Sequence, residues 1–162
     1  IVVMIMVGFA FGGQPLYGYL YGAKLQKRMK ECMKYAYQLI IGISATLSIV
    51  LSIFAPLMIS IFMNDAVMIA AGAPMLRAVL LGMPFIGFVM VTTCVFQSCG
   101  KPAQALILSA GRQGIFYAIL IFILHALLGY TGVIYAQAAS DIFTAIVAYL
   151  LLKNTLLKEL NA

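Results

Sequence analysis

Long uncharged runs alternate along this chain with short charged or glycine- and proline-marked breaks. Residues 1–23 carry no charge and end at Gly22-Ala23 before a basic stretch, Lys24 to Lys34. Tyr35 to Asn64 is again without charge, thirty residues in all. A membrane-crossing helix needs ~20 apolar residues at ~1.5 Å each to cover ~30 Å of hydrocarbon, so this run suffices for one helix and not for two. Asn64-Asp65 is expected to end that helix and cap the next. Residues 66–73 read as a short helix interrupted at Pro74, followed by a third span from Met75 to Ser98 with Pro84 inside it. Gly100-Lys101-Pro102 is a turn, because glycine ends helices and proline cannot continue one. A fourth span ends near Leu128, a hairpin follows at Gly129-Tyr130-Thr131-Gly132, and a fifth closes the pattern before Lys153 and Lys158. The fold expected is an all-α polytopic membrane bundle with spans at about 1–23, 35–63, 75–98, 106–128 and 133–152.

Composition excludes the soluble alternative. Apolar residues make up 65% and charged residues 9%, against about half and about a quarter in soluble domains. A water-soluble fold of 162 residues could not hide that much apolar surface. The net charge of +6 does not point to nucleic acid, since a basic binding stripe needs a polar domain to carry it. Instead the charge is sorted by position. If Lys24, Lys27, Arg28, Lys30 and Lys34 are cytoplasmic anchors, alternate crossings bring Lys101, Lys153 and Lys158 to the same side, with Arg77 alone outside and Arg112 ambiguous. By the positive-inside rule the basic loops and the C-terminus are expected on the cytoplasmic side of the membrane. Ile1-Val2-Val3-Met4 lacks an initiator methionine and a basic leader, so the chain is expected to open inside a membrane segment, truncated at its N-terminus.

Polar residues within the spans are the candidates for chemistry, because unpaired charge in hydrocarbon is costly. Asp141 lies near the middle of the fifth span, and two readings stand: a brace for a neighbouring helix, or a proton or cation site. Folding the last hairpin at Tyr130-Thr131 sets Asp141 opposite Leu120, ~12 Å along the axis from Arg112, too far for a pair. If residues 103–110 lie along the interface, Arg112 snorkels to inner-leaflet headgroups; its role otherwise depends on where the fourth span starts. Gln14-Pro15 and Pro84 each remove a helical hydrogen bond, which membranes accept where the freed group faces protein or a water-filled cavity. Gln97, Thr92 and Thr93 either line such a cavity or bond a neighbouring backbone. Tyr17, Tyr19 and Tyr21 form either an aromatic belt at the headgroups or a stacking surface for aromatic cations. His125 reads as an interface residue and the ten methionines as adaptable packing. Cys32, Cys94 and Cys99 have no metal-ligand spacing and read as small apolar fillers. No nucleophile triad, phosphate loop or metal cluster is legible, so an enzyme is not expected.

The order of short motifs resembles one family. Gly13-Gln14-Pro15-Leu16-Tyr17-Gly18-Tyr19 with Tyr21-Gly22-Ala23-Lys24, Ile61-Phe62 with Asn64-Asp65, and Met75-Leu76-Arg77 before Pro84 are similar to segments of multidrug and toxic compound extrusion (MATE) transporters. So are Phe96-Gln97-Ser98-Cys99-Gly100-Lys101, Ser109 with Arg112-Gln113, Gly129 with Gly132-Val133, and Ser140-Asp141. The resemblance implies helices eight to twelve of a twelve-helix transporter, a partial C-terminal lobe whose N-terminal lobe is absent. It implies secondary active export of small organic cations in exchange for H+ or Na+, with no other cofactor. The lipid bilayer and the missing lobe would be its partners. Some members carry an acid in the tenth helix; Met75–Ser98 holds none, which leaves Asp141, with Gln14, Gln97 and Tyr17, as the candidate cavity and coupling residues. Two rival readings are a lipid or polysaccharide flippase of the same superfamily and a membrane scaffold subunit that transports nothing.

Overall fold

A computed structural model describes residues 2–61 and 65–160. Five helical stretches in it are long and apolar enough to cross a membrane: Val2–Gly22, Gln26–Ile53, Ala66–Ser98, Pro102–Leu128 and Tyr130–Leu157.

The first span is two helices, α1 (Val2–Gly12) and α2 (Gln14–Gly22), joined at Gly13. Pro15 sits in the first turn of α2, where a missing N–H is best tolerated; the bond it fails to make is the one to the Phe11 carbonyl. After a turn in which Lys24 adopts a left-handed φ of 55°, α3 runs from Gln26 to Ile53. The helix therefore starts nine residues before the expected span at 35. Lys27, Arg28, Lys30 and Lys34 lie on it rather than in a loop, since Lys, Arg, Glu, Gln and Met are all good helix formers. A short α4 (Ala55–Ser60) follows a bend at Phe54. Asn64 lies outside the described residues, while Asp65 does cap the next helix, its Oδ1 accepting from the Val67 N–H at 2.9 Å.

That helix, α5 (Ala66–Ser98), is the axis of the bundle. The interruption expected at Pro74 is absent: α5 runs through both Pro74 and Pro84. Packing explains the continuity near Pro74, because α4 lies against this turn so closely that a Cβ on Gly72 would stand 2.8 Å from Ile59 Cδ1. Over its most hydropathic stretch α5 is 61% buried, against 11–39% for the other spans, so the remaining helices pack around it. At Gly87 two helices close in together: Met6 of α1 and Ile40 of α3 would stand 2.8 and 3.0 Å from a Cβ there. The α3 stripe Met29, Met33, Ala36 and Ile40 faces this core.

Gly100 ends α5 with φ +68°. Lys101 N–H bonds the Phe96 carbonyl at 2.9 Å and Gly100 N–H the Gln97 carbonyl at 3.3 Å, the paired bonds of a Schellman termination. The fourth span comprises α6 (Pro102–Ala110), a π-helical turn at Gly111–Ile115, and α7 (Phe116–Leu128); it starts at Pro102, four residues before the expected 106. Gly129 alone, at φ 59°, reverses the chain into α8 (Tyr130–Leu151), which continues as π-helix through Leu157. The hairpin is tighter than the four-residue turn expected. Gly132 allows it, since a Cβ there would stand 2.0 Å from the Leu124 carbonyl oxygen.

Candidate functional site

Two polar clusters are held against α5. In the first, the break at Gly13 and the first turn of α2 turn Gln14 toward the C-terminal half of α5, where its Nε2 donates to Gln97 Oε1 at 2.8 Å. Cys94 lies beside Gln14. Tyr17, one turn along α2, is 2% exposed, its ring folded back over Gly13. Tyr17, Tyr19 and Tyr21 therefore do not form one surface. Tyr17 is core, Tyr19 faces outward, and Tyr21 donates to Glu159 Oε1 at 2.6 Å.

A cavity of about 170 Å³ opens beside this pair, lined by Phe11, Thr93, Cys94, Gln97, Ser109, Arg112 and Gln113 among others. Pro15 leaves the Phe11 carbonyl without its helical donor at the wall of this space. Thr93 lines the cavity while bonding the Val89 carbonyl at 2.8 Å; Thr92 instead bonds the Phe88 carbonyl at 2.8 Å and meets Tyr37 Oη at 3.0 Å. Pro84 faces elsewhere, into a space between α3 and α5 with Ser48 and Arg77. Arg77 Nε donates to the Ser52 carbonyl at 3.1 Å.

The second cluster surrounds Asp141. Its side chain is fully buried, and neither carboxylate oxygen has a hydrogen-bond partner among the described residues. Oδ2 faces α5 at Gly82, 2.8 Å from where a Cβ would be, with Ala138 Cα packed alongside at 3.5 Å. The Arg112 charge stands near enough to act on the carboxylate without a direct ion pair to it, and the Gln137 side chain, one turn back on α8, lies close by without a well-formed hydrogen bond. The hairpin register expected from the sequence is corrected here. Ser140 Oγ donates to the Arg112 carbonyl at 3.0 Å, so Arg112 is level with Ser140 rather than two turns away. The turn at Gly129 comes earlier than assumed, and the π-helical turn at Gly111–Ile115 fits more residues into the same length.

Arg112 thus connects the clusters: its side chain lines the cavity with Gln97, and its backbone rests on the residue next to Asp141. Thr144 Oγ1 bonds the Ser140 carbonyl at 2.7 Å on the same face of α8. Sequence reasoning missed Gly82, and named Ser140 only as part of a motif, without its contact to Arg112. A lone Asp in a span was visible; the glycine facing it on another helix was not.

At the basic end of the bundle, Glu159 gathers three spans. It accepts from Tyr21 and forms an ion pair with Lys101, and Lys24 lies beside it. Hydrogen bonds from Lys101 and then Tyr21 hold its carboxyl below the usual range. The segment around Lys24, the Gly100-Lys101 turn and the end of α8 therefore share one end of the molecule.

Residues 1–131 match the MatE family. The chain belongs to that family. It is 25% identical over 148 residues to the multidrug export protein MepA of Staphylococcus saprophyticus, a match covering 91% of this chain and 32% of that protein. A MATE crystal structure in complex with MaL6 superimposes with a TM-score of 0.90 at 20% identity, over 99% of this chain and 36% of that one. Inward- and outward-facing structures of a multidrug resistance MATE transporter of the MOP superfamily both give TM-scores of 0.89 at 22% identity, over 99% of this chain and 38% and 36% of theirs. The chain spans about a third of the length of the relatives it matches. It is a multi-pass membrane segment with the MATE fold, and its shape fits both states of that neighbour equally.

Proposed function

We propose that this chain is part of a secondary exporter that carries small organic cations out of a bacterial cell in exchange for H+ or Na+. The reading places it in the cytoplasmic membrane with Lys24, Lys27, Arg28 and the C-terminus inside, working with the bilayer and with an N-terminal lobe of the same protein. Family membership and the multidrug export role named for its staphylococcal relative support efflux over a flippase or a passive scaffold. Transport needs no bond making, and the polar groups here suit binding and release rather than catalysis.

The observation that carries the reading is the Asp141 carboxylate, buried in a membrane span with both oxygens unpartnered. Such a group is costly in apolar surroundings, and binding a proton, a sodium ion or a cationic substrate relieves the cost. Competition among these ligands gives exchange, provided each binds the inward and outward states with different affinity. Arg112, Gln97 and Gln14 supply the polar path beside it. Cells expressing the full reading frame should accumulate less ethidium than controls, and Asp141→Asn should abolish the difference. Unchanged efflux in Asp141→Asn at equal expression removes Asp141 from the mechanism. Loss of the difference on adding an uncoupler, but not on removing sodium, assigns the proton as the coupling ion.

A further inference from the structure

We propose that the groove between α3 and α5, at the end of the bundle opposite Lys101 and Glu159, binds an anionic phospholipid, with its phosphate on Arg77 and an acyl chain running toward Pro84. The space is about 460 Å³, with Ser48, Ser52, Arg77 and Pro84 among its lining residues, and nothing in the export reading uses it. Arg77 is the single charged residue of α5. Its Nε donates to the Ser52 carbonyl at 3.1 Å, which ties the guanidinium across α3, and neither Nη group bonds another described residue. No acidic side chain lines the groove among the described residues. One turn deeper on α3, Ser48 is buried and its Oγ has no hydrogen-bond partner among the described residues.

Depth, shape and charge select the occupant. Arg77 precedes Ser98, the last residue of α5, by ~31 Å of helix, against ~30 Å of hydrocarbon in a bilayer. Its charge therefore stands at headgroup level on the side away from the Gly100-Lys101 turn, the outer leaflet in the orientation proposed above. From Arg77 to Pro84 the groove descends ~10 Å along α5, and Ser52 to Ala45 matches it on α3. That lies within the ~15 Å of one leaflet's hydrocarbon. Ile49, Ile53 and Leu81 line the groove and are exposed, so it opens sideways, where a lipid can enter. A phosphate matches the paired N–H groups of a guanidinium. An ester carbonyl beneath it gives the Ser48 hydroxyl the acceptor it lacks, which removes the cost of a buried unsatisfied donor. An inorganic anion would leave the apolar lower half empty, and an organic cation, the cargo proposed above, would be repelled by Arg77.

Photolabelling tests the site in protein from the full reading frame, reconstituted in phosphatidylcholine vesicles. The probe is phosphatidylglycerol with a diazirine in the upper half of one acyl chain, compared with phosphatidylcholine labelled the same way. Peptide mapping should find the phosphatidylglycerol label on residues 45–53 and 80–84, about tenfold above the phosphatidylcholine label, as expected for one hydrogen-bonded charge contact. Arg77→Gln should bring the two labels level. Ala45→Phe, which fills the deep end and leaves Arg77 in place, should lower labelling of these segments by both lipids. Lys27→Gln with Arg28→Gln, at the other end of α3, should leave it unchanged. Equal labelling by the two lipids in the parent protein overturns the proposal, as does a matching fall in the Lys27/Arg28 variant, which would mark general surface charge. Loss of the label on adding soluble glycerol phosphate at matched concentration also overturns it, because the groove would then contribute nothing. If Arg77→Gln fails to fold, Ala45→Phe still decides: undiminished labelling there sinks the site.

Discussion

Asp141 and Gly82 meet across the interface of α8 and α5 with no room for a side chain between them: a Cβ on Gly82 would stand 2.8 Å from Asp141 Oδ2. Small residues let membrane helices approach closely, and here the approach sets a carboxylate against bare backbone within three residues of Pro84. A coupling acid at this contact would be able to change how α5 and α8 pack when it binds or loses a cation.

Gly82→Ala should therefore destabilise the chain by ~1–3 kcal/mol, the usual cost of overpacking, and abolish efflux. Pairing it with Asp141→Ser, which shortens the opposing side chain, should recover the thermal midpoint in detergent without recovering efflux. Recovery of both would show that the carboxylate itself is dispensable and that the contact only packs.

Gln14 and Gln97 donate and accept at the boundary of the first span and α5, 83 positions apart in sequence. A double-mutant cycle with Gln14→Leu and Gln97→Leu should return a coupling of ~0.6 kcal/mol, with an upper range near ~1.7 kcal/mol, as measured for hydrogen bonds between membrane helices. Strictly additive effects on the unfolding free energy would mean that the bond contributes nothing to holding the break at Gly13 against α5.

Much of this architecture was legible in the sequence because lipid imposes a simple rule: uncharged runs cross and charges mark the ends. Five spans and the basic end follow from it, and the stops at Gly100 and Gly129 follow from glycine ending helices. The helical start at Gln26 does not, because the charges mark the membrane boundary and not the helix end, and Lys, Arg, Glu, Gln and Met favour helix. Nor does the passage of α5 through Pro74, where packing of α4 overrides the local preference. Of the candidate site, Gln14, Gln97 and Asp141 stood out one by one as polar residues in apolar runs. Their partners were hidden, because the Gln14 bond to Gln97, the Arg112 contact with Ser140 and the position of Gly82 depend on helix rotation, and a π-helical turn leaves no plain mark in a hydrophobic pattern.

Gly132 offers a sharper test of the last hairpin. With the Leu124 carbonyl oxygen 2.0 Å from the position of a Cβ, and backbone unable to swing aside as a side chain can, Gly132→Ala should cost at least the upper part of the ~1–3 kcal/mol overpacking range. Gly114→Ala, in the same span, meets nothing within 4 Å and should be near neutral. Comparable yields and thermal midpoints for the two variants after detergent extraction would refute the close crossing of α7 and α8.

Glu159 gives a prediction in pH. Its carboxyl is held below the ordinary value first by the hydrogen bond from Lys101 and then by that from Tyr21, so the folded state favours the ionised form. A depressed folded pKa means that the contribution is fully present above the unfolded value, ~4.3, and is lost as pH falls through the lower folded value. The side chain is 47% exposed, which keeps the contribution within the ~0–1 kcal/mol of surface pairs and makes it sensitive to salt. Glu159→Gln should accordingly lower the thermal midpoint slightly at pH 7 and low ionic strength, with the difference from the parent chain vanishing both in high salt and below the folded pKa. A difference that persisted unchanged in acid would show that the three span ends are held together by packing around Leu20 and Leu160 rather than by this charge.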